Sequence, residues 1–99
     1  MAIYYIGTYD IVDMDAFSKY PPRVLQLLPK YGGEVLASDT EAITVEGTSR
    51  TMNAIVKFPS VKHALDFYND PEYQQEIKPL RLNSTRNGTM VLVKQFEIP

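Results

Sequence analysis

Apolar residues recur with helical spacing in the middle of the chain. One face of a short helix, at positions i, i+3, i+4 and i+7, is formed by Val61, Ala64, Leu65 and Tyr68. Ser60 comes just before this face, and its hydroxyl can accept a hydrogen bond from an N–H of the first turn. Asp70 and Pro71 then suit the cap and the first position of a second helix. The pattern therefore predicts two helical segments in series between Phe58 and Arg81.

Apolar runs on either side of this region have the length and composition of β-strands. Four strands are predicted, at residues 2–11, 34–38, 51–58 and 89–98. A further short strand is predicted at residues 43–46. Asn87-Gly88 predicts a turn directly before the last strand.

A helical region is predicted between the first two strands. Asp13 or Asp15 can cap its start, and Pro21-Pro22 interrupts it because proline has no N–H to donate. We therefore expect a short helix that ends near Tyr20 and a second piece with proline in its first turn. Gly32-Gly33 supplies the left-handed end of that piece.

These elements follow the order β-α-β-β-α-β, which is typical of a ferredoxin-like α+β fold with one antiparallel sheet and helices on one face. The uncovered face of such a sheet should be polar. In this chain the first, third and last strands are largely apolar on both faces. Because soluble monomers rarely expose a large apolar patch, we predict a homodimer that packs through the open sheet face.

Composition narrows the function classes. The 99 residues fit a single domain over residues 1–99, and a net charge of −2 without a basic, aromatic-rich stretch disfavours nucleic-acid binding. No apolar run is long enough to span a bilayer, and the N-terminus has the pattern of a strand, so we expect a cytoplasmic protein. With one histidine and no cysteine, we expect no metal site, and no phosphate-loop spacing indicates a cofactor.

Several short motifs together resemble the domain of unknown function 1330 family, a branch of the dimeric α+β barrel superfamily. They are Tyr31-Gly32-Gly33, Phe58-Pro59-Ser60, Phe67-Tyr68, Asp70-Pro71-Glu72-Tyr73-Gln74 and Leu80-Arg81. The resemblance implies a ferredoxin-like protomer and a face-to-face dimer. It implies no reaction, since the family has no agreed function and the wider superfamily includes monooxygenases, isomerases, haem enzymes and ligand-sensing domains. Pro21-Pro22 and Pro79 depart from the family pattern, and Pro79 is expected to disturb the helix before Arg81.

His63 and Arg81 are the charged or titratable candidates for a site. His63 is the single histidine, and it is either a general base at a cleft between helix and sheet or a surface residue. Helical spacing from Ile77 turns Arg81 toward the apolar side. Arg81 is then either the anchor of an anionic ligand or part of an internal salt bridge, to Glu46, Asp10 or an acid of a partner chain.

Tyrosine is abundant, with seven in the chain. Four tyrosines are candidates to line a cleft for an apolar ligand with a few oxygens: Tyr5, Tyr9, Tyr68 and Tyr73. The alternative for these rings is packing in the core and at the dimer interface. Glu46 and Arg50 flank a loop, either crossing the dimer interface or forming a solvated pair.

Three functions remain open from the sequence. The first is a homodimer that binds a small apolar or anionic molecule between sheet and helices, with Tyr5, His63, Tyr68 and Arg81 as candidate ligand-binding residues. The second is a cofactor-independent oxygenase or isomerase in which His63 is the catalytic base. The third is a structural or interaction role for the dimer itself.

Overall fold

The computed structural model describes residues 1–98, which form four strands and two helical regions in the order β-α-β-β-α-β. In chain order the elements are β1 (Ile3–Ile11), α1 (Met14–Phe17), α2 (Tyr20–Leu27), a 3-10 turn (Leu28–Tyr31), β2 (Glu34–Asp39), β3 (Met52–Phe58), α3 (Val61–Tyr68), a π-helical turn (Tyr73–Ile77), α4 (Lys78–Leu82) and β4 (Thr85–Lys94). None of the helices in this part of the chain is long and apolar enough to cross a membrane.

The strands form one antiparallel sheet in the order β2-β3-β1-β4. The two central strands are the first and third, which confirms the ferredoxin-like arrangement. In the register of the sheet, Tyr5 pairs with Val56 on one side and Leu92 on the other. These side chains face the helices and join the hydrophobic core.

The core lies between this sheet face and the helices. Its buried members come from both layers: Ile3, Tyr9, Phe17, Tyr20, Leu27, Leu28, Met52, Phe58, Ala64, Phe67, Tyr73 and Ile77. Aromatic rings dominate it, and Phe67 stands at the centre, with its ring centroid 5.5 Å from that of Phe58 and 4.9 Å from that of Tyr73. The helices are thus held to the sheet mainly by edge and tilted ring contacts.

On the opposite sheet face, no helix is formed by residues 1–98. Ile6 lies at its centre and pairs with Ile55 and Val91 across the neighbouring strands. Val91 and Val93 are 44% and 42% exposed. The apolar open face expected from the strand pattern is therefore present in the protomer.

Local signals correctly predicted the ends of several helices. The Ser60 hydroxyl accepts from the His63 N–H at the start of α3. Pro21-Pro22 lies in the first turn of α2, where the missing N–H is not needed. Gly32 ends the 3-10 turn with a φ of 70°, a left-handed conformation that suits glycine.

Two predictions about the strands were wrong. Residues 43–46 are not a strand but part of the loop between β2 and β3, where Ile43 and Val45 are 90% and 94% exposed. Asn87-Gly88 is not a turn before the last strand, because β4 already begins at Thr85 and ends at Lys94. Asn87 instead has a φ of 58° where the pairing with β1 shifts, so its left-handed conformation serves a bulge.

Pro79 reshapes the helix before Arg81, as expected. A regular helix would need the Pro79 N–H as a donor to the carbonyl four residues earlier, and proline has none. The preceding turn is π-helical, and the N–H of Lys78 donates to the carbonyl of Tyr73 five residues back. This wider turn leads directly into α4, on which the Arg81 side chain is buried.

Candidate functional site

A cavity of about 180 Å³ lies between the sheet and α2. Its wall is mainly apolar, with contributions from Val24, Leu28, Val56, Phe58 and Phe67. Leu25 and Val35, which are exposed, also line it, so the cavity opens between α2 and the edge strand β2. An apolar, concave space of this kind is the usual form of a small-molecule site.

A cluster of four tyrosines and one arginine adjoins this cavity. Tyr5, Tyr9 and Tyr20 line the cavity, and Tyr73 and Arg81 pack against them. The hydroxyl oxygens of Tyr20 and Tyr73 are 2.8 Å apart. The Arg81 guanidinium carbon lies 5.8 Å from the ring centroid of Tyr9 and 5.9 Å from that of Tyr20. We call these five residues the Tyr/Arg cluster.

Two polar atoms of the Tyr/Arg cluster are buried without a hydrogen-bond partner among the described residues. They are the hydroxyl oxygen of Tyr5 and Nε of Arg81. Buried polar atoms in folded proteins nearly always have partners, and an exception calls for an explanation, such as a catalytic role or a bound water or ion. The cluster therefore has hydrogen-bonding capacity that the protomer itself does not use.

Burial keeps three tyrosines of the cluster neutral, namely Tyr5, Tyr9 and Tyr20. Burial raises the pKa of Tyr5 well above its ordinary value, raises that of Tyr9 to about 12 and raises that of Tyr20 strongly. The positive charge of Arg81 opposes this effect at all three without cancelling it. Near neutral pH these hydroxyls are therefore protonated and can donate hydrogen bonds.

Arg81 keeps its charge in the same environment. Burial lowers its pKa, but the side chains of Tyr20 and Tyr73 outweigh that effect, so the pKa is raised overall. The side chain is only 4% exposed. The cluster is thus a buried cation surrounded by neutral donors and aromatic rings.

The intramolecular salt bridges considered for Arg81 are absent from the described residues. Asp10 instead pairs with Arg50, with Nη1 3.2 Å from Oδ2, and also accepts from the side-chain amide of Asn87. Glu46 lies exposed in the loop between β2 and β3. The prediction of Asp10 or Glu46 as the partner of Arg81 was therefore wrong, because the bulge in β4 and the loop hold these acids elsewhere.

The four candidate residues from the sequence do not form one group. Tyr5 and Arg81 both belong to the Tyr/Arg cluster. Tyr68 lines a second cavity of about 270 Å³ between α3 and β4, together with Tyr5, Leu65 and Leu92. His63 is exposed, lies outside both cavities, and has Nδ1 2.6 Å from the Ser60 hydroxyl.

Tyr20 is the site residue that sequence reasoning missed. It stands directly before Pro21-Pro22, and the prediction that a helix ends near Tyr20 was wrong, because α1 ends at Phe17. It is instead the first residue of α2, and Val24 and Leu27 follow it at i+4 and i+7 on the same face. That spacing was the available signal that the Tyr20 ring points into the core.

With this geometry established, comparison with known proteins gives the family. Residues 2–96 match the family described as Domain of unknown function (DUF1330). The chain belongs to this family. None of the curated proteins matches the chain.

Several solved structures have the same fold as this DUF1330 protein. A protein of unknown function from Rhodopseudomonas palustris has a TM-score of 0.81 at 15% identity, covering 98% of this chain and 84% of its own. A dimeric protein of unknown function and ferredoxin-like fold from Bacteroides fragilis has a TM-score of 0.67 at 9% identity, covering 95% and 96%. An antibiotic biosynthesis monooxygenase has a TM-score of 0.56 at 18% identity, covering 98% and 100%. At these identities the likeness concerns the fold alone, which is ferredoxin-like.

Proposed function

We propose that this protein is a homodimer that binds a small molecule in the cavity between the sheet and α2. The observation that carries the proposal is the hydroxyl of Tyr5, which is buried at the wall of a mainly apolar cavity and has no hydrogen-bond partner among the described residues. An apolar pocket with a few convergent polar groups is the form that small-molecule sites take. In this proposal Tyr5 contacts the ligand, and Arg81, which packs against the rings of Tyr9 and Tyr20 at the edge of the cavity, supplies a positive charge.

The size of the cavity limits the ligand. Its volume of about 180 Å³ is close to that of an engineered apolar cavity of about 150 Å³ that binds benzene. The proposed ligand is therefore a single ring or a short chain rather than a nucleotide or a flavin.

The dimer in this proposal packs through the open sheet face. Support comes from the apolar centre of that face, at Ile6 and its cross-strand neighbours, and from the dimeric relative of the same fold. The β2–β3 loop and the C-terminal segment add four strongly exposed apolar side chains: Ile43, Val45, Phe96 and Ile98. A second protomer that covers these side chains would remove their apolar surface from water.

Cofactor-independent catalysis is a second candidate, favoured by the buried positive charge of Arg81, which can stabilise an enolate or phenolate. We rank binding first because the described lining of the cavity contains no carboxylate and no imidazole. Its tyrosines, with raised pKa values, are poor bases near neutral pH. If turnover is found, His63→Ala tests His63 as the base, and unchanged turnover removes it from the mechanism.

The chain offers internal reporters for a binding test. Met52 and Met90 line the cavity, while Met1 and Met14 are 63% and 53% exposed. With ¹³C-methyl-labelled methionine, toluene is titrated and the four methyl signals are followed by NMR. We expect saturable shifts of Met52 and Met90, with Met1 and Met14 unchanged.

A matched pair of variants controls this experiment. Ala54→Leu adds volume at the sheet wall of the cavity, and Ala42→Leu adds the same group in the exposed β2–β3 loop. We expect Ala54→Leu to abolish the shifts and Ala42→Leu to leave them. Toluene shifts that are absent from the unmodified protein, or that persist in Ala54→Leu, would contradict the proposed cavity.

A further inference from the structure

We infer that the ligand of this cavity is a small apolar carboxylate, with Tyr5 and Tyr20 donating hydrogen bonds to its oxygens and Arg81 balancing its charge. The inference rests on the proposed function and adds the chemical class of the ligand. Three independent features of the described residues support it: a buried charge without a counter-charge, neutral donors at the cavity wall, and an apolar remainder.

The charge of Arg81 is the first feature. Its side chain is 4% exposed, its Nε has no partner, and no acid among residues 1–98 forms a salt bridge with it. The ring faces of Tyr9 and Tyr20 compensate this charge only in part. A buried charge is strongly unfavourable unless an opposite charge and hydrogen bonds accompany it. An anion bound in the adjoining cavity supplies the opposite charge across the rings of Tyr9 and Tyr20.

The donors at the wall are the second feature. The hydroxyl of Tyr5 is unpaired, and that of Tyr20 shares one hydrogen bond with Tyr73 over 2.8 Å. If Tyr73 donates to Tyr20, the Tyr20 proton is free for a ligand oxygen. Two O–H groups then meet the two oxygens of a carboxylate, and hydrogen bonds to a charged acceptor are about twice as strong as neutral ones.

The apolar remainder of the cavity is the third feature. Away from the Tyr/Arg cluster the lining is mostly aliphatic and aromatic, with Val24, Leu28 and Phe58 as examples, and its one other hydroxyl, that of Ser38, lies 3.6 Å from Sδ of Met52. A second charged or strongly polar group on the ligand would lie against these side chains without a partner. The ligand therefore has one anionic end and an apolar body, as in benzoate or hexanoate.

The test compares benzoate with benzamide, its neutral isostere, and hexanoate with hexanamide. Binding is followed at pH 7 through the methyl signals of Met52 and Met90, with toluene as the probe of the apolar cavity alone. We expect each carboxylate to bind about tenfold or more tightly than its amide, since hydrogen bonds from neutral donors to a charged acceptor carry that much discrimination.

Variants assign this preference to the cluster. Arg81→Met removes the charge at similar length, and we expect it to abolish the preference for carboxylate while toluene still binds. Tyr5→Phe removes one donor and should weaken carboxylate binding alone. Arg23→Met, which removes an exposed arginine paired with Glu72, is the matched control and should change nothing. Arg81→Lys, which keeps the charge, replaces Arg81→Met if the latter does not fold, and should retain part of the preference.

The outcomes separate this inference from the function on which it rests. Equal binding of acid and amide, with toluene still bound, overturns the carboxylate inference and leaves the cavity as a binding site. A preference that survives Arg81→Met overturns the role of Arg81. If toluene, the acids and the amides all leave Met52 and Met90 unshifted, the proposed function fails and the inference fails with it.

Discussion

The hydroxyl groups of Tyr20 and Tyr73 form a hydrogen bond of 2.8 Å, although 53 positions separate the two residues. This contact joins the first residue of α2 to the first residue of the π-helical turn. Both rings are buried, so their polar ends have been removed from water and depend on one another. The pair fixes α2 and the π-helical turn relative to each other at the edge of the cavity.

Mutations of this pair should be strongly non-additive. Tyr73→Phe leaves the buried Tyr20 hydroxyl without its partner, and we expect the free energy of unfolding to fall by about 1–3 kcal/mol. Tyr20→Phe should cost a similar amount. The double variant removes both polar groups, so its cost should be clearly smaller than the sum of the two. Urea unfolding of the four proteins measures the cycle, and additive costs would show that the two hydroxyls are not coupled.

Arg81 should contribute to binding at the expense of stability. Because the free protomer buries this charge without a described acidic partner, Arg81→Met should leave the free energy of unfolding unchanged or raise it by about 1 kcal/mol. Urea unfolding without ligand measures this, with Arg23→Met as the exposed control. A loss of several kcal/mol on Arg81→Met would instead indicate that an acid of a second protomer already pairs with Arg81.

The sequence predicted several helix boundaries correctly because their causes are local. Each cause acts within one turn of the chain: Ser60 caps α3, Pro22 lies in the first turn of α2, and Gly32 ends the 3-10 turn. The signal at Asn87 is local too, but its left-handed conformation serves equally in a hairpin turn and in a strand bulge. Which of the two forms depends on the pairing with β1, and that pairing is not encoded near Asn87.

The candidate site was only partly predictable for the same reason. Spacing from Ile77 correctly turned Arg81 into the core despite the π-helical turn. Its surroundings depend on tertiary contacts. The Tyr20 ring that packs against Arg81 lies 61 positions away in the sequence, and Asp10 pairs with Arg50 instead of Arg81. Residue type and spacing therefore indicate that an arginine is buried, but they do not show which groups surround it.

Asp70 should make stability depend on acid pH. Its carboxylate accepts from the hydroxyl of Tyr31 and from the N–H groups of Tyr73 and Glu72, and these bonds lower its pKa despite its burial. A carboxyl with a lowered pKa in the folded state stabilises the protein above its ordinary pKa. That contribution is lost as the pH falls through the lowered value. The free energy of unfolding should therefore decrease from pH 6 toward pH 2.

The variant Asp70→Asn isolates this contribution. We expect it to cost about 1–3 kcal/mol at pH 6, since it removes a charged acceptor of several hydrogen bonds, and progressively less as the pH approaches 2. Asp66→Asn is the control, because Asp66 forms an exposed pair with Lys62 that should contribute less than about 1 kcal/mol. Urea unfolding at several pH values measures both, and a cost of Asp70→Asn that stays constant with pH would refute the assignment.

A charge at the centre of the open sheet face should separate the proposed dimer. Ile6 lies between Ile55 and Val91, so Ile6→Lys would bury an unpaired ammonium in a sheet-to-sheet interface. We expect the dimer dissociation constant to rise by about a hundredfold or more. Light scattering should give twice the 11.3 kDa protomer mass for the unmodified protein and 11.3 kDa for the variant at micromolar concentration. Leu82→Lys, which places the same charge on the exposed side of α4, should remain dimeric.

If Ile6→Lys also remained dimeric, the interface would have to lie on another surface. The exposed side chains of Ile43 and Phe96 would then be the next positions to substitute.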